Sequence, residues 1–220
     1  MIHPIRVYCP NLVNRPERRR HIESEFNDKP EFALSIIPAI EDNENGANGL
    51  YQTFINIMNK MNKEIQEPSE NGFFIFAEDD HKFMPSYSFE YLRHSIAVAD
   101  ELEAYLLVGG PTFFHIPIQC TPDLFWVKVF NGTQFTVVFH RIFKLYQAII
   151  NNERRILDVS LSEICDKTFV MYPPVSYQKD FGYSDATPNL YDSKGEYMNR
   201  LSLNATHRLS VLNQLRKHLK

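Results

Sequence analysis

Glu78, Asp79 and Asp80 stand side by side at the end of an apolar run, Phe73–Ala77. Three adjacent carboxylates repel one another, so water, a helix N-terminus, basic side chains or a metal ion must offset the repulsion. In an extended chain Glu78 and Asp80 point to one side and Asp79 to the other. Two carboxylates on one side form a hard-oxygen site suited to Mg²⁺ or Mn²⁺, and such an ion can bridge to a diphosphate. The alternative is a solvated acidic turn that caps a helix near Ser86. A complementary set lies near the N-terminus, where Arg15, Arg18, Arg19 and Arg20 follow the first apolar segment. Arginine forks beside a helix N-terminus make an anion site, and a solvated helix face is the other reading. Taken together, acids and arginines suggest a nucleotide diphosphate held by metal on one side and by cation on the other.

The surrounding elements have to bring these groups together. The apolar patterning predicts strands over 5–9, 32–39, 73–77 and 104–108, alternating with helices over 14–26, 50–65 and 86–102. Asn14 is placed as the N-cap of the first helix, with Pro16 in its first turn. The run "FFIFA" has no polar alternation, which fits a central parallel strand buried on both faces. A β-α-β-α-β-α-β order argues for an open α/β sheet, and ligands of such sheets bind outside the carboxyl ends of the strands. From residue 112 onward the pattern changes to β-like segments over 112–120, 124–130 and 134–140, set apart by Pro122-Asp123 and Asn131-Gly132. Helices over 142–151 and 158–165 and a strand over 168–172 follow, then mostly loop until a closing helix over 205–219.

Composition narrows the function classes. The chain has 220 residues, 44% hydrophobic and 23% charged, with a formal net charge of −4. That balance fits a soluble globular protein and offers no global basic field for nucleic acid. Three scattered cysteines, Cys9, Cys120 and Cys165, make a disulfide framework unexpected and suit a cytoplasmic protein. No signal peptide is expected from "MIHPIRVYCPNL", and no apolar run approaches the roughly 20 residues that span a bilayer. The terminal stretch from Ala205 carries Leu209, Leu212, Leu215 and Leu219 at helical spacing beside Arg208, Arg216, Lys217 and Lys220. It can dock on the domain, pair with another chain, or hold the protein peripherally on the inner face of an anionic membrane.

Several segments, in order, resemble the family 25 glycosyltransferases of lipopolysaccharide and lipooligosaccharide biosynthesis. "NLVNRPERR" (Asn11–Arg19) resembles the family's N-L-x-x-R-P-x-R-R, "PAIED" (Pro38–Asp42) its A-[VI]-[DE], and "FIFAEDD" (Phe74–Asp80) its strand ending in E-D-D. "NGTQFTVVFHRIFKLYQAI" (Asn131–Ile149) resembles its G-T-x-x-Y-[VL]-I-S-R segment, and Ile156–Asp185 its D-x-x-L, P-x-x-x-x-Q and S-D series. The resemblance implies a GT-A fold, an α/β open sheet that binds a nucleotide sugar, followed by a mixed acceptor half and here a C-terminal helix. The implied layout is one domain over 1–220, with a donor half to about 110, an acceptor half to about 190 and a helical tail from 191.

The same resemblance implies inversion at the anomeric carbon, with galactose from UDP-galactose as the favoured donor and a surface glycan or lipid-linked glycan as acceptor. Donor contact falls to Asn11, Arg15, Arg18, Glu41, Thr53, Glu78 and Asp79, and Mn²⁺ or Mg²⁺ to Asp80 with Glu78. Asp158 matches the family's acid before a short helix and is the first candidate for the catalytic base, with a helix N-cap as its other reading. Asp185 is the reserve candidate. One segment departs from the pattern. The family's Gly-Cys-x-x-Ser-His stands here as "GLYQTF" (Gly49–Phe54), so Thr53 keeps a hydroxyl while Phe54 replaces the histidine. Trp126, beside Phe125 and Phe130, reads as core packing, with stacking on an acceptor sugar as the alternative. The competing functions are another metal-dependent transferase acting on nucleotides, and an inactive relative that binds nucleotide or glycan.

Overall fold

The computed structural model describes residues 4–64, 72–186 and 196–218. Ile65, Asn71, Leu219 and Lys220, and part of the tail from residue 191, lie outside the described residues. The chain runs β1 (Ile5–Asn11), α1 (Pro16–Phe26), β2 (Phe32–Pro38), α2 (Gly46–Glu64), β3 (Phe73–Ala77), β4 (His81–Phe83), α3 (Phe89–Glu101) and β5 (Leu106–Val108). It continues through β6 (Phe113–Gln119), β7 (Leu124–Asn131), β8 (Phe135–Phe139), a 3-10 turn over His140–Leu145 and α4 (Tyr146–Ile150). The final elements are α5 (Leu157–Ile164), β9 (Thr168–Met171), β10 (Ser176–Gln178) and α6 (Tyr197–His218).

Eight strands form one open sheet in the order β2-β1-β3-β8-β5-β9-β7-β6, and β4 pairs with β10 in a separate ribbon. β1 is parallel to both β2 and β3, and β5 is parallel to β9. β8 is antiparallel to β3 and to β5. The chain is therefore an α/β protein with an open mixed sheet. β3 is buried as its apolar run requires, with Phe74, Ile75 and Ala77 at 0% exposure. It differs from a purely parallel strand because β8 inserts beside it in the opposite direction. β8 ("FTVVF") is buried at all five positions, so it belongs between two strands rather than at an edge.

Alternation along the strands supplies both faces. Tyr8 packs with α2 and α5 residues such as Phe54, Met58 and Leu161, whereas its neighbours Val7 and Cys9 pack with Ile22 and Phe26 of α1 and Leu92 and Ile96 of α3. Phe54 stands 5.3 Å from Phe76 in an edge-to-face arrangement at 1% exposure, so its ring is core. Burying such a ring contributes roughly 1.5–3 kcal/mol. The three cysteines are free thiols.

Several expected boundaries shift: β1 runs on to Asn11, β5 starts at Leu106, and the helix expected over 142–151 is a 3-10 segment followed by the short α4. Four further changes concern helix starts and caps. Arg15, not Asn14, occupies the N-cap position of α1 without a side-chain cap bond, and Asn14 lies one residue ahead of it, with Nδ2 donating to Glu41 at 2.9 Å. α2 begins at Gly46 rather than Leu50, since Asp42 Oδ1 accepts from the Asn45 amide at 2.8 Å and Oδ2 from Asn48 Nδ2 at 2.6 Å, ordering the turn ahead of it. α3 is capped by Ser88, which accepts from the Tyr91 amide, rather than by the acids or Ser86. α6 begins at Tyr197, eight residues before the apolar repeat that marks it in the sequence. Its Ala205 and Leu209 are buried in the core and Leu212 packs against it, so the tail docks on its own domain. Among the described residues no helix is long and apolar enough to cross a membrane.

Candidate active site

β3 ends at Ala77, and the chain then turns sharply, with the His81 amide donating to Glu78 O at 3.0 Å. Strand alternation stops at that turn. Asp79 and Asp80 consequently share one partner, so Asp79 is not set apart from Asp80 as strand alternation implies, while Asp80 remains the strongest charge acting on Glu78. Arg18 Nη1 donates to Asp79 Oδ1 at 3.0 Å and to Asp80 Oδ2 at 3.3 Å. Asp79 Oδ2 accepts from Asn11 Nδ2 at 2.8 Å, and Asp80 Oδ2 accepts from Gln178 Nε2 at 2.8 Å. A carboxylate so bonded is no solvated acidic turn, and Asp80 is only 4% exposed.

Arg18 comes from the first turn of α1, two residues beyond Pro16, and is itself 6% exposed. Its guanidinium lies over the Phe181 ring at 4.6 Å and the Tyr183 ring at 4.7 Å, and Nη2 donates to Tyr183 O at 2.9 Å. Burial works against the charge, but Asp80 and Asp79 outweigh it and hold the guanidinium pKa above its ordinary value. Gln178, Phe181 and Tyr183 had no role assigned from the sequence. Gln178 lies within one of the family-like segments. Two aromatics in an irregular loop carry no sequence signal for a cation partner.

Glu78 leaves in another direction. Its Oε1 accepts from Thr133 Oγ1 at 2.5 Å. Thr133 belongs to the Asn131-Gly132-Thr133 turn between β7 and β8, where Gly132 takes a φ of +97°, a conformation that favours glycine. The same turn holds Asp158, whose Oδ2 accepts from Asn131 Nδ2 at 3.0 Å and from the Gly132 amide at 3.2 Å. Asp158 lies in the first turn of α5, and Ile156 is the N-cap residue. Its Oδ1 accepts from the Val159 amide at 2.9 Å. One tight turn thus positions two carboxylates that are far apart in sequence.

The remaining candidates divide. Arg15 makes a two-point contact with Asp185, Nε to Oδ2 at 3.1 Å and Nη2 to Oδ1 at 2.5 Å. This contact is the main reason the Arg15 pKa rises. Glu41 is exposed at the cavity rim. Thr53 does not reach the cavity: it is 1% exposed, accepts from the Ile40 amide and donates to Gly49 O, both at 2.8 Å. Its hydroxyl is fully used in holding the loop that follows β2.

A cavity of about 790 Å³ is lined by Asn11, Arg15, Arg18, Glu41, Glu78, Asp79, Asp80, Asp158 and Asp185. It opens where β1, β2 and β3 end, as expected for an open α/β sheet. Acids outnumber the arginines there. Among the described residues no group of three or more histidine, cysteine or acidic side chains is arranged to hold a metal ion by itself. Asp80 Oδ1 is buried without a hydrogen-bond partner, and Glu78 has an oxygen not committed to Thr133. Those spare oxygens fit the partial carboxylate set that Mg²⁺ or Mn²⁺ uses alongside phosphate oxygens and water.

Burial, reinforced by Asp80, pushes the Glu78 carboxyl up to about 8 from an ordinary 4.5. Burial also raises Asp80 to about 6, against the pull of Arg18. A carboxyl raised in the folded state binds its proton there while the unfolded chain has released it, so stability falls as pH rises through that window. Burial lowers His21, His81 and His140 from 6.5, which acts in the opposite direction at lower pH. Between pH 7 and 8 the Glu78 effect outweighs the histidine effect, which fades as imidazoles become neutral in both states above their ordinary 6.5. The urea midpoint of the metal-free protein is expected to fall over that interval, and Glu78→Gln is expected to flatten the fall. A midpoint that holds level or rises would contradict this assignment.

No protein-family model and no curated protein matches the chain. Among solved structures it is similar to a glycosyltransferase involved in the glycosylation of the major capsid of PBCV-1. The identity is 10% over 76% of this chain and 82% of that one, with a TM-score of 0.45. It is also similar to an apo UDP-glucose pyrophosphorylase, at 8% identity over 93% of this chain and 82% of that one, with a TM-score of 0.48.

Proposed function

We propose that the cavity binds a nucleoside diphosphate sugar and transfers its hexose to an acceptor hydroxyl. One observation carries this reading. The segments that resemble family 25 glycosyltransferases are spread from Asn11 to Asp185, yet each contributes side chains to a single cavity. These are Asn11, Arg15 and Arg18 from the first, Glu41 from the second, Glu78–Asp80 from the third, Asn131–Thr133 from the fourth, and Asp158 and Asp185 from the last. A sheet of this outline with a diphosphate-sized cavity at its strand ends suits a GT-A-like donor site.

In the proposed reaction the acceptor oxygen attacks the anomeric carbon, the bond to the diphosphate oxygen breaks, and the configuration inverts. Asp158 takes the acceptor proton. Arg18 stays paired with Asp79 and Asp80 and keeps their oxygens aimed at the cavity. Arg15 is placed to exchange Asp185 for a phosphate, since a guanidinium fork matches either anion. Glu78 and Asp80 would hold Mg²⁺ or Mn²⁺, and such an ion neutralises charge on the departing diphosphate. UDP-galactose is the favoured donor and a glycan, free or lipid-linked, the acceptor.

A panel of nucleotide sugars scored by thermal shift, with and without Mn²⁺, tests the donor side. A ligand that binds only the folded form raises its stability by mass action. The expected result is a metal-dependent rise with UDP-sugars and a small or absent rise with nucleoside triphosphates. A larger response to triphosphates would favour a nucleotidyltransferase. Binding without release of UDP in the presence of simple glycosides would favour a binding protein that lacks turnover.

A further inference from the structure

We propose that Phe113 and Ile156 form an acceptor platform that receives the apolar face of a pyranose ring beside Asp158. The proposal rests on the glycosyl-transfer reading of the cavity and adds the substrate class and its seat. Phe113 is 44% exposed and Ile156 43% exposed, and both line the cavity, whereas the next residue along β6, Phe114, is completely buried. β7 pairs with β9 only through Leu124–Trp126, while its pairing with β6 runs on to Asn131. The far end of that ribbon returns to the cavity, and Phe113 and Asn131 are partners across it. Directly opposed residues of an antiparallel pair project on the same face. Asn131 Nδ2 holds Asp158 at 3.0 Å, which puts the Phe113 ring beside the proposed base. Ile156, two residues before Asp158, flanks it from the other strand of chain.

The seat is thus apolar on one side and hydrogen-bonding on the other. A pyranose has the matching shape, with a face of C–H groups and a rim of hydroxyls. With its C–H face on the Phe113 ring, one hydroxyl can meet Asp158 while the anomeric carbon of the donor lies toward the acid cluster. Arg208 of α6 lies 6.0 Å from the Phe113 ring centre and 4.4 Å from that of Phe114, and it donates to Phe114 O at 3.4 Å, which ties this end of β6 to the closing helix. The aromatic cluster singled out in the sequence does not compete for this role. Trp126 Nε1 donates to Asp166 O at 2.6 Å, outside the cavity, and Phe125 and Phe130 are buried at 0% and 1% exposure.

Saturation-transfer NMR with methyl pyranosides of glucose, galactose, mannose and N-acetylglucosamine tests the platform, with UDP and Mn²⁺ titrated in parallel. The expected result is saturation of the ring C–H protons of at least one pyranoside. Its affinity should weaken roughly tenfold in Phe113→Ala, in keeping with the value of an aromatic contact, and be retained in Phe113→Trp. UDP affinity should stay within twofold in both. Phe113→Leu keeps an apolar side chain without a ring and should behave as Phe113→Ala does. The proposal is overturned if no pyranoside is saturated, if the pyranoside affinity of Phe113→Ala stays within twofold of the unmodified protein, or if Phe113→Leu matches the unmodified protein. Pyranoside binding that depends on Phe113 in a protein that fails to bind UDP would uphold the platform and remove the donor reading.

Discussion

Replacing Arg18 by methionine is expected to lower the thermal midpoint by roughly 6–20 °C at pH 8. Removing one partner of a buried ion pair costs about 3–5 kcal/mol, because the other charge is left uncompensated. For a chain of this size each kcal/mol shifts the midpoint by about 2–4 °C. Arg18 is 6% exposed and serves two carboxylates at 3.0 and 3.3 Å, so its loss strands Asp79 and Asp80 together. Methionine fills most of the space between Phe181 and Tyr183, which separates the charge effect from a cavity effect. The pH dependence identifies the cause. With the arginine gone, the two acids relieve their repulsion by taking up a proton, so the loss should be much smaller at pH 5 than at pH 8. An exposed ion pair would contribute no more than about 1 kcal/mol. A shift of under 2 °C at pH 8, or an equal shift at both pH values, would show that Arg18 is not the charge that holds this turn together.

The acid cluster shows where sequence patterning stops being informative. The run "FFIFA" marks the bounds of β3 because five apolar residues rich in aromatic and β-branched types, too few for a helix, suit a buried strand. The same logic fails one residue later. Glu78 opens a turn, and a turn between an apolar run and "HKF" has no glycine or proline to announce it. The side-chain alternation assumed for Glu78, Asp79 and Asp80 is therefore lost, and the pairing of Asp79 and Asp80 through Arg18 becomes visible only in three dimensions. Strand partners are also unreadable locally. "FTVVF" reads as a strand, but nothing in it says that it inserts between β3 and β5. The start of α2 is hidden by Gly46 and Gly49, poor helix formers whose turn is ordered by Asp42. The departure at Phe54 also becomes legible once packing is known. The ring fills core against Phe76, and the neighbouring Thr53 hydroxyl ties down backbone, so neither faces the cavity.

Asp158→Asn is expected to reduce turnover about 10²- to 10⁴-fold, the range that positioned general bases contribute, while leaving the affinity for UDP with Mn²⁺ nearly unchanged. The carboxylate is aimed by three donors, the Asn131 side chain and the Gly132 and Val159 amides, at 3.0, 3.2 and 2.9 Å. Three donors on different sides fix the direction of the carboxylate. Such an arrangement holds a base in place before the acceptor arrives, with the acid cluster on the donor side of the same cavity. The competing role for Asp158 is structural, as the clamp between α5 and the Asn131–Thr133 turn. An amide can still accept from Asn131 and Gly132 through its oxygen, so a clamp would be weakened only in part. The two roles separate in three measurements. A base predicts a large fall in kcat, a UDP affinity within about twofold, and loss of the acidic limb of the pH–rate profile. A clamp predicts a lower thermal midpoint, a matching loss of UDP affinity and a pH–rate profile of unchanged shape. Substitution of Asn131 by alanine should reproduce part of the kcat loss under the first role, because it removes a donor that aims the carboxylate without removing the carboxylate itself. Turnover in Asp158→Asn within threefold of the unmodified enzyme would transfer the assignment to Asp185, which Arg15 must first release.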